Sequence, residues 1–363
     1  MTRPRVVHVL EALEGGTARH VIDVVRHATG TDHEVVVPPR RIDGVTDETA
    51  IDRMREAGAA VHVLPMRRKP HAPRNAVAVA RLRALLLRRR PDVVHGHSGI
   101  GGVLARLAGT GFGRPRVYTP NGITDVRAGL LVERGLRRLT ERFVAVSASE
   151  GELAVELGLI GRDRLEVIPN GLALELPPPV PLRSRLGLAS EVPLVGTIAR
   201  LAPQKAPEVF IDACVAMATR VPDAHFVMMC VGPQRAEVEA AAAASGLGPR
   251  LHVLGAVPGA SGALGELDVF LLTSRFEGGP YAPLEAMRAG VAVVLTDAVG
   301  NRDVLVDGES GRVVPVDRPD AAADAVVELL SDEPRRARLA AEFDVRQMGA
   351  RLDAFYEELA RGG

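Results

Sequence analysis

The chain has 363 residues, with 45 basic and 45 acidic side chains and a formal net charge of zero. At about 150 residues per domain that length suggests two domains, each large enough to bury its own core. With 47% apolar and 25% charged residues the composition is that of a folded, soluble protein, and the balanced charge excludes one devoted to coating nucleic acid.

The first half alternates short β-rich runs with amphipathic stretches. Strands are expected at Val6–Leu10, His33–Val37, Val61–Pro65, Asp92–His95, Arg116–Thr119, Arg142–Ser147 and Leu165–Ile168. Between them lie helical stretches with an apolar stripe such as Ala18, Val21, Ile22 and Val25, and notably Asn75–Arg89 and Ser149–Leu157. Residues 177–181 read Pro-Pro-Pro-Val-Pro, a stiff segment that suits a linker. The alternation then restarts, with strands at Pro193–Ile198, His225–Val231, Leu251–Leu254, Val269–Thr273, Val291–Thr296 and Arg312–Val316. Helices are expected at Pro207–Thr219, Ala236–Ser245, Pro283–Ala289 and Asp320–Leu330, and across Pro334–Ala360. Strands alternating with helices imply an α/β fold with parallel sheets. The spacing divides the chain into a doubly wound domain over residues 1–176, a second over 177–345, and a terminal helix over 346–363 that can pack back on the first.

No apolar run approaches the ~18 residues of a membrane span. The run at residues 6–10 is too short for a signal-peptide core. Two cysteines, Cys214 and Cys230, are too few for a disulfide scaffold. These features point to a cytoplasmic protein.

In doubly wound folds ligands bind beyond the carboxyl ends of the strands, so polar residues there carry most information. After the first strand comes Gly15-Gly16-Thr17, where glycines admit a close backbone approach and a helix amino terminus attracts anions, with Thr17 as its cap. His97 follows the fourth strand, and Asn121-Gly122 the fifth. Each of these can equally be an ordinary turn. In the second half Arg200 and Lys205 follow a strand and precede Pro207, a natural helix start. Lys205 stands out because only two of the 45 basic residues are lysines, the other being Lys69. Two cations in such a turn suit a diphosphate. Residues 277–290 then carry Glu277, the loop Gly278-Gly279-Pro280-Tyr281-Ala282, and Glu285 in what reads as the first turn of a helix ending at Gly290. Carboxylates there can accept hydrogen bonds from sugar hydroxyls. A glycosidase-type acid pair is the competing interpretation of Glu277 and Glu285, disfavoured by the neighbouring Arg200 and Lys205. No Asp-x-Asp and no Cys/His cluster with zinc spacing occurs in the sequence, so no metal site is expected.

Taken in order, Arg200-x4-Lys205 and Glu277-x7-Glu285, with Gly15-Gly16, Asp-Val-Val-His-Gly-His at 92–97, Tyr-Thr-Pro-Asn-Gly at 118–122, Val-Ser-Ala-Ser at 146–149, Val-Ile-Pro-Asn-Gly at 167–171, Val-Leu-Gly-Ala-Val at 253–257 and Gly-Arg-Val-Val-Pro at 311–315, resemble the retaining glycosyltransferases of family 4. The resemblance spans nearly the whole chain. It implies the GT-B fold, two Rossmann-like domains facing across a cleft. It also implies metal-independent transfer of a hexosyl or N-acetylhexosaminyl group from a nucleoside diphosphate sugar, most commonly a UDP-sugar, without a further cofactor. By the same resemblance Arg200 and Lys205 bind the diphosphate and Glu285 the ribose. Glu277, with the backbone of Gly278 and Gly279, binds the transferred sugar. The backbone around Pro280, Tyr281 and Ala282 approaches the phosphates. Gly16 sits where donor and acceptor meet, and Val257 passes the base; Arg200, Lys205 and Glu277 would be the catalytic set. Gly15, Thr17, His97 and Asn121 would lie near the acceptor and sugar, and retention would proceed by front-face attack, the leaving phosphate taking the acceptor proton.

Two positions depart from the family pattern. Asn121 stands where many relatives have histidine, and it cannot carry charge. Pro280 removes one backbone donor from the Gly-rich loop. A sugar-nucleotide epimerase of the same fold and a non-catalytic nucleotide-sugar-binding protein are the alternatives. A dinucleotide oxidoreductase is disfavoured, since Gly99-Ile-Gly101 lacks the third glycine of that fingerprint. The acceptor could be a glycan, a lipid-linked glycan or a small metabolite. A basic stretch with Arg67, Arg68, Lys69 and Arg74 suits peripheral contact with the inner membrane face, or a solvated loop.

Overall fold

The structure is a computed structural model that describes residues 3–39, 49–67, 73–123, 127–305, 307–308, 311–331 and 339–362. Two compact units emerge, residues 1–171 with 342–363, and residues 172–341. The divides fall a few residues before those suggested by the proline run and the last helix.

The first unit contains, in chain order, β1 (Arg5–Leu10), α1 (Gly15–His27), β2 (Asp32–Val37), α2 (Ala50–Glu56), β3 (Ala60–Val63), α3 (Pro73–Arg89), β4 (Val93–His97), α4 (Gly99–Ala108), β5 (Arg116–Thr119), α5 (Arg127–Leu136), β6 (Arg142–Ala145), α6 (Ala148–Glu156) and β7 (Leu165–Val167). Its seven strands pair in parallel in the order β3-β2-β1-β4-β5-β6-β7. Strands β1, β2 and β4 are buried almost end to end, as covering helices on both faces require. That explains their continuous valine runs.

The second unit holds α7 (Leu182–Leu186), β8 (Leu194–Arg200), α8 (Pro207–Ala218), β9 (His225–Val231), α9 (Arg235–Ala244), β10 (Leu251–Val253), β11 (Val269–Leu272), α10 (Tyr281–Arg288), β12 (Ala292–Thr296), β13 (Gly311–Val314) and α11 (Pro319–Ser331). Its six parallel strands run in the order β10-β9-β8-β11-β12-β13. The last helix, α12 (Val345–Arg361), belongs to the first unit and packs on α1. Asp344 caps its start, and Asp353 on its length accepts hydrogen bonds from Gly30 N (2.8 Å) and Thr31 Oγ1 (2.7 Å). Both units are therefore doubly wound Rossmann-like domains. Each sheet reverses strand order once, between β1 and β4 and between β8 and β11, and those reversals are where such sheets open to ligands.

Several expected boundaries move. Strand β4 continues to His97, so that histidine is a strand residue. Arg200 closes β8 instead of following it. Helix α1 already begins at Gly15, which places Thr17 in its first turn with Glu14 at the cap position. Helix α10 starts at Tyr281, two residues before Pro283, so Glu285 falls in the second turn and not the first. Helices α2, α4 and α5 fill gaps where only strands stood out in the sequence.

Candidate active site

At the reversal in the second sheet, the connections leaving β8 and β11 lock together. After β8 a single 3-10 turn, Pro203–Lys205, ends at Ala206, whose φ of 45° and ψ of 57° place it in the left-handed region. Such a conformation strains a non-glycine residue and persists only where its surroundings hold it. Here the Thr273 hydroxyl faces the carbonyls of Lys205 and Ala206, 3.1 Å from each, and Arg275 N donates to Gln204 O at 2.8 Å. Pro207 then opens α8 at its first position.

Those backbone ties bring two side chains of opposite charge together. Lys205 Nζ is ion-paired and hydrogen-bonded to Glu277 Oε1. Gln204 Nε2 donates to Phe276 O at 3.0 Å and reaches Glu277 Oε2 at 3.4 Å. Glu277 is only 5% exposed, so its charge depends on these partners.

The far side of the same loop is braced by the connection after β12. Glu277 N donates to Val299 O at 2.9 Å. Asn301, fully buried, donates through Nδ2 to Thr296 O (3.1 Å) and Oγ1 (3.0 Å), and the Thr296 hydroxyl in turn donates to Ser274 O. Gly300 lies flat against Gly278, where a Cβ would come within 2.6 Å of the Gly278 carbonyl. Gly278, Gly279 and Pro280 form the loop that leads into Tyr281 and Ala282 at the amino terminus of α10. Glu285 is buried on that helix, and Val257 lies half-buried beyond the edge strand β10. Lys205, Glu277 and the Gly-rich loop thus meet at the neighbouring ends of β8 and β11. Gln204, Thr273 and Asn301 complete the site, and the sequence offers no signal for them beyond their position near strand ends.

In the first unit, Gly15–Thr17 and His97 sit at the other reversal, with Leu10 of β1 in register with His97 of β4. Asn121 lies one strand further out, at the end of β5. Its φ is +55°, a conformation asparagine tolerates better than most residues, and its Nδ2 reaches Thr119 O at 3.4 Å. The next residue is held by Glu150, whose Oε1 accepts from Gly122 N at 2.6 Å while Oε2 accepts from Val146 N at 2.9 Å. Ser98, after β4, also has a positive φ.

His97 is part of a buried imidazole cluster that the sequence did not announce. His33 Nε2 lies 2.8 Å from Ala28 O, His33 Nδ1 3.0 Å from His8 Nε2, and His8 Nδ1 3.0 Å from His97 Nε2. A carbonyl can only accept, so each ring carries its proton on Nε2 and His97 Nδ1 is left as a bare lone pair. Burial holds His8, His95 and His97 well below the ordinary histidine pKa, and lowers His20 to about 4. Nitrogens of His8, His95 and His97 come within 4.8 Å of one another, as metal ligands could. Yet both nitrogens of His8 are spent in the chain, and those of His95 on Tyr356 OH and Thr119 Oγ1, each 2.8 Å away. The trio is a hydrogen-bonded core network and does not fit a metal ion.

Neither cysteine offers a nucleophile. Burial pushes the Cys230 thiol up to about 12 and raises Cys214 as well. Of the basic stretch, Arg68 and Lys69 lie outside the described residues. Arg67 exchanges two 3.0 Å hydrogen bonds through its backbone with the Asn75 side chain.

The fold and site define a two-domain protein of paired Rossmann-like units. The family model of the glycosyltransferases of family 4 matches residues 14–176, and that of the glycosyl transferases group 1 matches residues 181–343. The phosphatidyl-myo-inositol mannosyltransferase of Mycolicibacterium smegmatis is 30% identical over 285 residues, covering 75% of this chain and 72% of that protein. The D-inositol 3-phosphate glycosyltransferase of Xylanimonas cellulosilytica is 30% identical over 278 residues, covering 69% of this chain and 66% of its own length. Among solved structures, Anabaena HepE in complex with UDP and glucose superimposes with a TM-score of 0.83 at 19% identity, covering 98% of this chain and all of that one. The chain belongs to family 4 of the glycosyltransferases and has the GT-B fold.

Proposed function

We propose that the protein transfers a hexosyl or N-acetylhexosaminyl group from a nucleoside diphosphate sugar, with UDP-sugars the first candidates, and that it does so with retention and without a metal. The observation that carries this reading is the convergence of Lys205, Glu277 and the Gly-rich loop at the reversal between β8 and β11. Breaking the bond between the anomeric carbon and phosphate oxygen builds negative charge on the diphosphate. Arg200, Lys205 and the amino terminus of α10 are the groups suited to stabilise it. Glu277 accepts hydrogen bonds from the sugar and Glu285 from the ribose. Glu277 is ion-paired with Lys205 and assigned to the sugar hydroxyls, which favours front-face attack with the departing phosphate taking the acceptor proton. Glycan, lipid-linked and small-metabolite acceptors all fit, and the inositol-containing names of the two relatives favour a polyol. Contact with an anionic membrane through the stretch around Arg67 and Arg74 is part of this proposal.

The test is release of nucleoside diphosphate from a panel of nucleotide sugars with candidate acceptors. One donor should give turnover, and Lys205→Ala should reduce it at least about a hundredfold, as loss of a charge-stabilising group does. Turnover within a factor of two of wild type in the folded variant would refute the assignment.

A further inference from the structure

The two donor-site residues of opposite charge are bonded to each other. Lys205 spends its ammonium on Glu277 Oε1, and among the described residues Glu277 is held at its other oxygen by the long contact from Gln204. The Glu277 side chain is 7% exposed and the Lys205 side chain 18%. A buried carboxylate stripped of its cation is costly. Arg275, two residues before Glu277 in the same loop, is committed elsewhere, to Asp317, Glu208 and Pro203 O. Any anion that draws Lys205 away therefore takes from Glu277 the ammonium it is paired with, and any anion that comes to Lys205 where it stands meets the negative charge of Glu277.

We infer that the Lys205–Glu277 pair is an exchange device that makes phosphate recognition conditional on the sugar. This rests on the donor-site reading given above. A nucleotide sugar satisfies both halves, its diphosphate taking the ammonium while its sugar hydroxyls donate to the carboxylate. A nucleoside diphosphate alone satisfies only one, and must compete with Glu277 for Lys205. The two binding contributions are therefore coupled through one ion pair. After transfer the sugar leaves Glu277, the carboxylate recaptures Lys205, and release of the product nucleotide is favoured. Two loops carry the exchange, and the braces at Thr273 and Asn301 keep their backbones fixed while the side chains change partners.

The test compares Kd values of UDP and UDP-glucose, then GDP and GDP-mannose, for the wild-type chain and for Glu277→Gln, by calorimetry. Glutamine keeps the shape and removes the competing charge. Wild type should bind the nucleotide sugar at least about tenfold more tightly than the bare nucleotide. In Glu277→Gln the bare nucleotide should bind about tenfold more tightly than to wild type while the nucleotide sugar does not gain, so the preference collapses. Bare nucleotide bound equally or more weakly by the folded variant overturns the exchange while leaving the donor site standing. Wild type that binds neither member of any pair overturns the donor site and the exchange together. A second measurement needs no variant of the pair. With only two lysines in the chain, lysine labelled with 15N at Nζ gives two resonances, assigned through Lys69→Arg. The Lys205 resonance should move when the wild-type protein is saturated with the nucleotide sugar that binds. An unmoved resonance at saturation means Lys205 never leaves Glu277, and overturns the proposal.

Discussion

Lys205 and Arg106 show what a single residue discloses. Lysine is so rare here that Lys205 draws notice from composition alone, and its place after a strand hints at an anion. Arg106 is one of 43 arginines, and its context says nothing special. In the structure it is among the largest fully buried side chains. Its Nε donates to Gly102 O at 2.9 Å, its Nη1 pairs with Glu133 at 2.7 Å, and the guanidinium lies 3.9 Å from the Tyr118 ring centroid. Removing one partner of a buried pair strands the other, so Arg106→Ala should cost about 3–5 kcal/mol of stability in denaturant unfolding. A loss under about 1 kcal/mol would show instead that the pair is worth no more than a surface one. The same contrast separates Glu277, visible in a motif, from Gln204 and Asn301. Gln204 acts through its bond to Phe276 O in another loop, and Asn301 through Thr296, whose hydroxyl donates to Ser274 O; no local pattern in the sequence encodes such ties.

At the scale of elements, strand positions were legible to within one or two residues, because parallel strands buried on both faces are written as valine-rich runs. Helix starts were less so. Proline at 283 suggested a first turn there, yet α10 begins at Tyr281, because Pro280 takes the extended conformation of a cap and the chain turns helical at once. Loops were the least legible. Their shape is set by what they rest against, as with Gly300, which has φ +81° and lies on the Gly278 carbonyl. Gly300→Ala would strain that backbone and push the Gly-rich loop aside. It should weaken nucleotide-sugar binding about tenfold or more while thermal unfolding changes little beyond the ~1 kcal/mol expected of a strained loop position. Unchanged Kd in calorimetry would mean that the brace after β12 does not position the donor loop.

At the scale of the whole molecule the ten histidines are unevenly spent. Five of them, His8, His20, His33, His95 and His97, are buried in the first unit, and all are held below their ordinary pKa by burial. In the unfolded chain they bind protons near pH 6.5, whereas in the folded unit they stay neutral to lower pH. The unfolded state then holds more protons below that value, so stability is full above about pH 6.5 and falls as the pH drops beneath it, by about 1.4 kcal/mol per pH unit for each histidine that differs. Chemical denaturation from pH 7.5 to 5 should show a steep loss below 6.5 that His20→Gln makes shallower. A flat profile would contradict it.

The sequence by itself determined that the chain alternates strand and helix, and which residues could stand at strand ends, since both follow from local periodicity and from the chemistry of single side chains. Only the tertiary structure decided which strand ends are neighbours. Strand order arises from pairings across many tens of residues, and no local signal carries it. That order sets β8 beside β11, and so brings Lys205 to Glu277 across 72 positions of sequence. It likewise gathers β1, β2 and β4 so that histidines far apart in the chain share one hydrogen-bonded line.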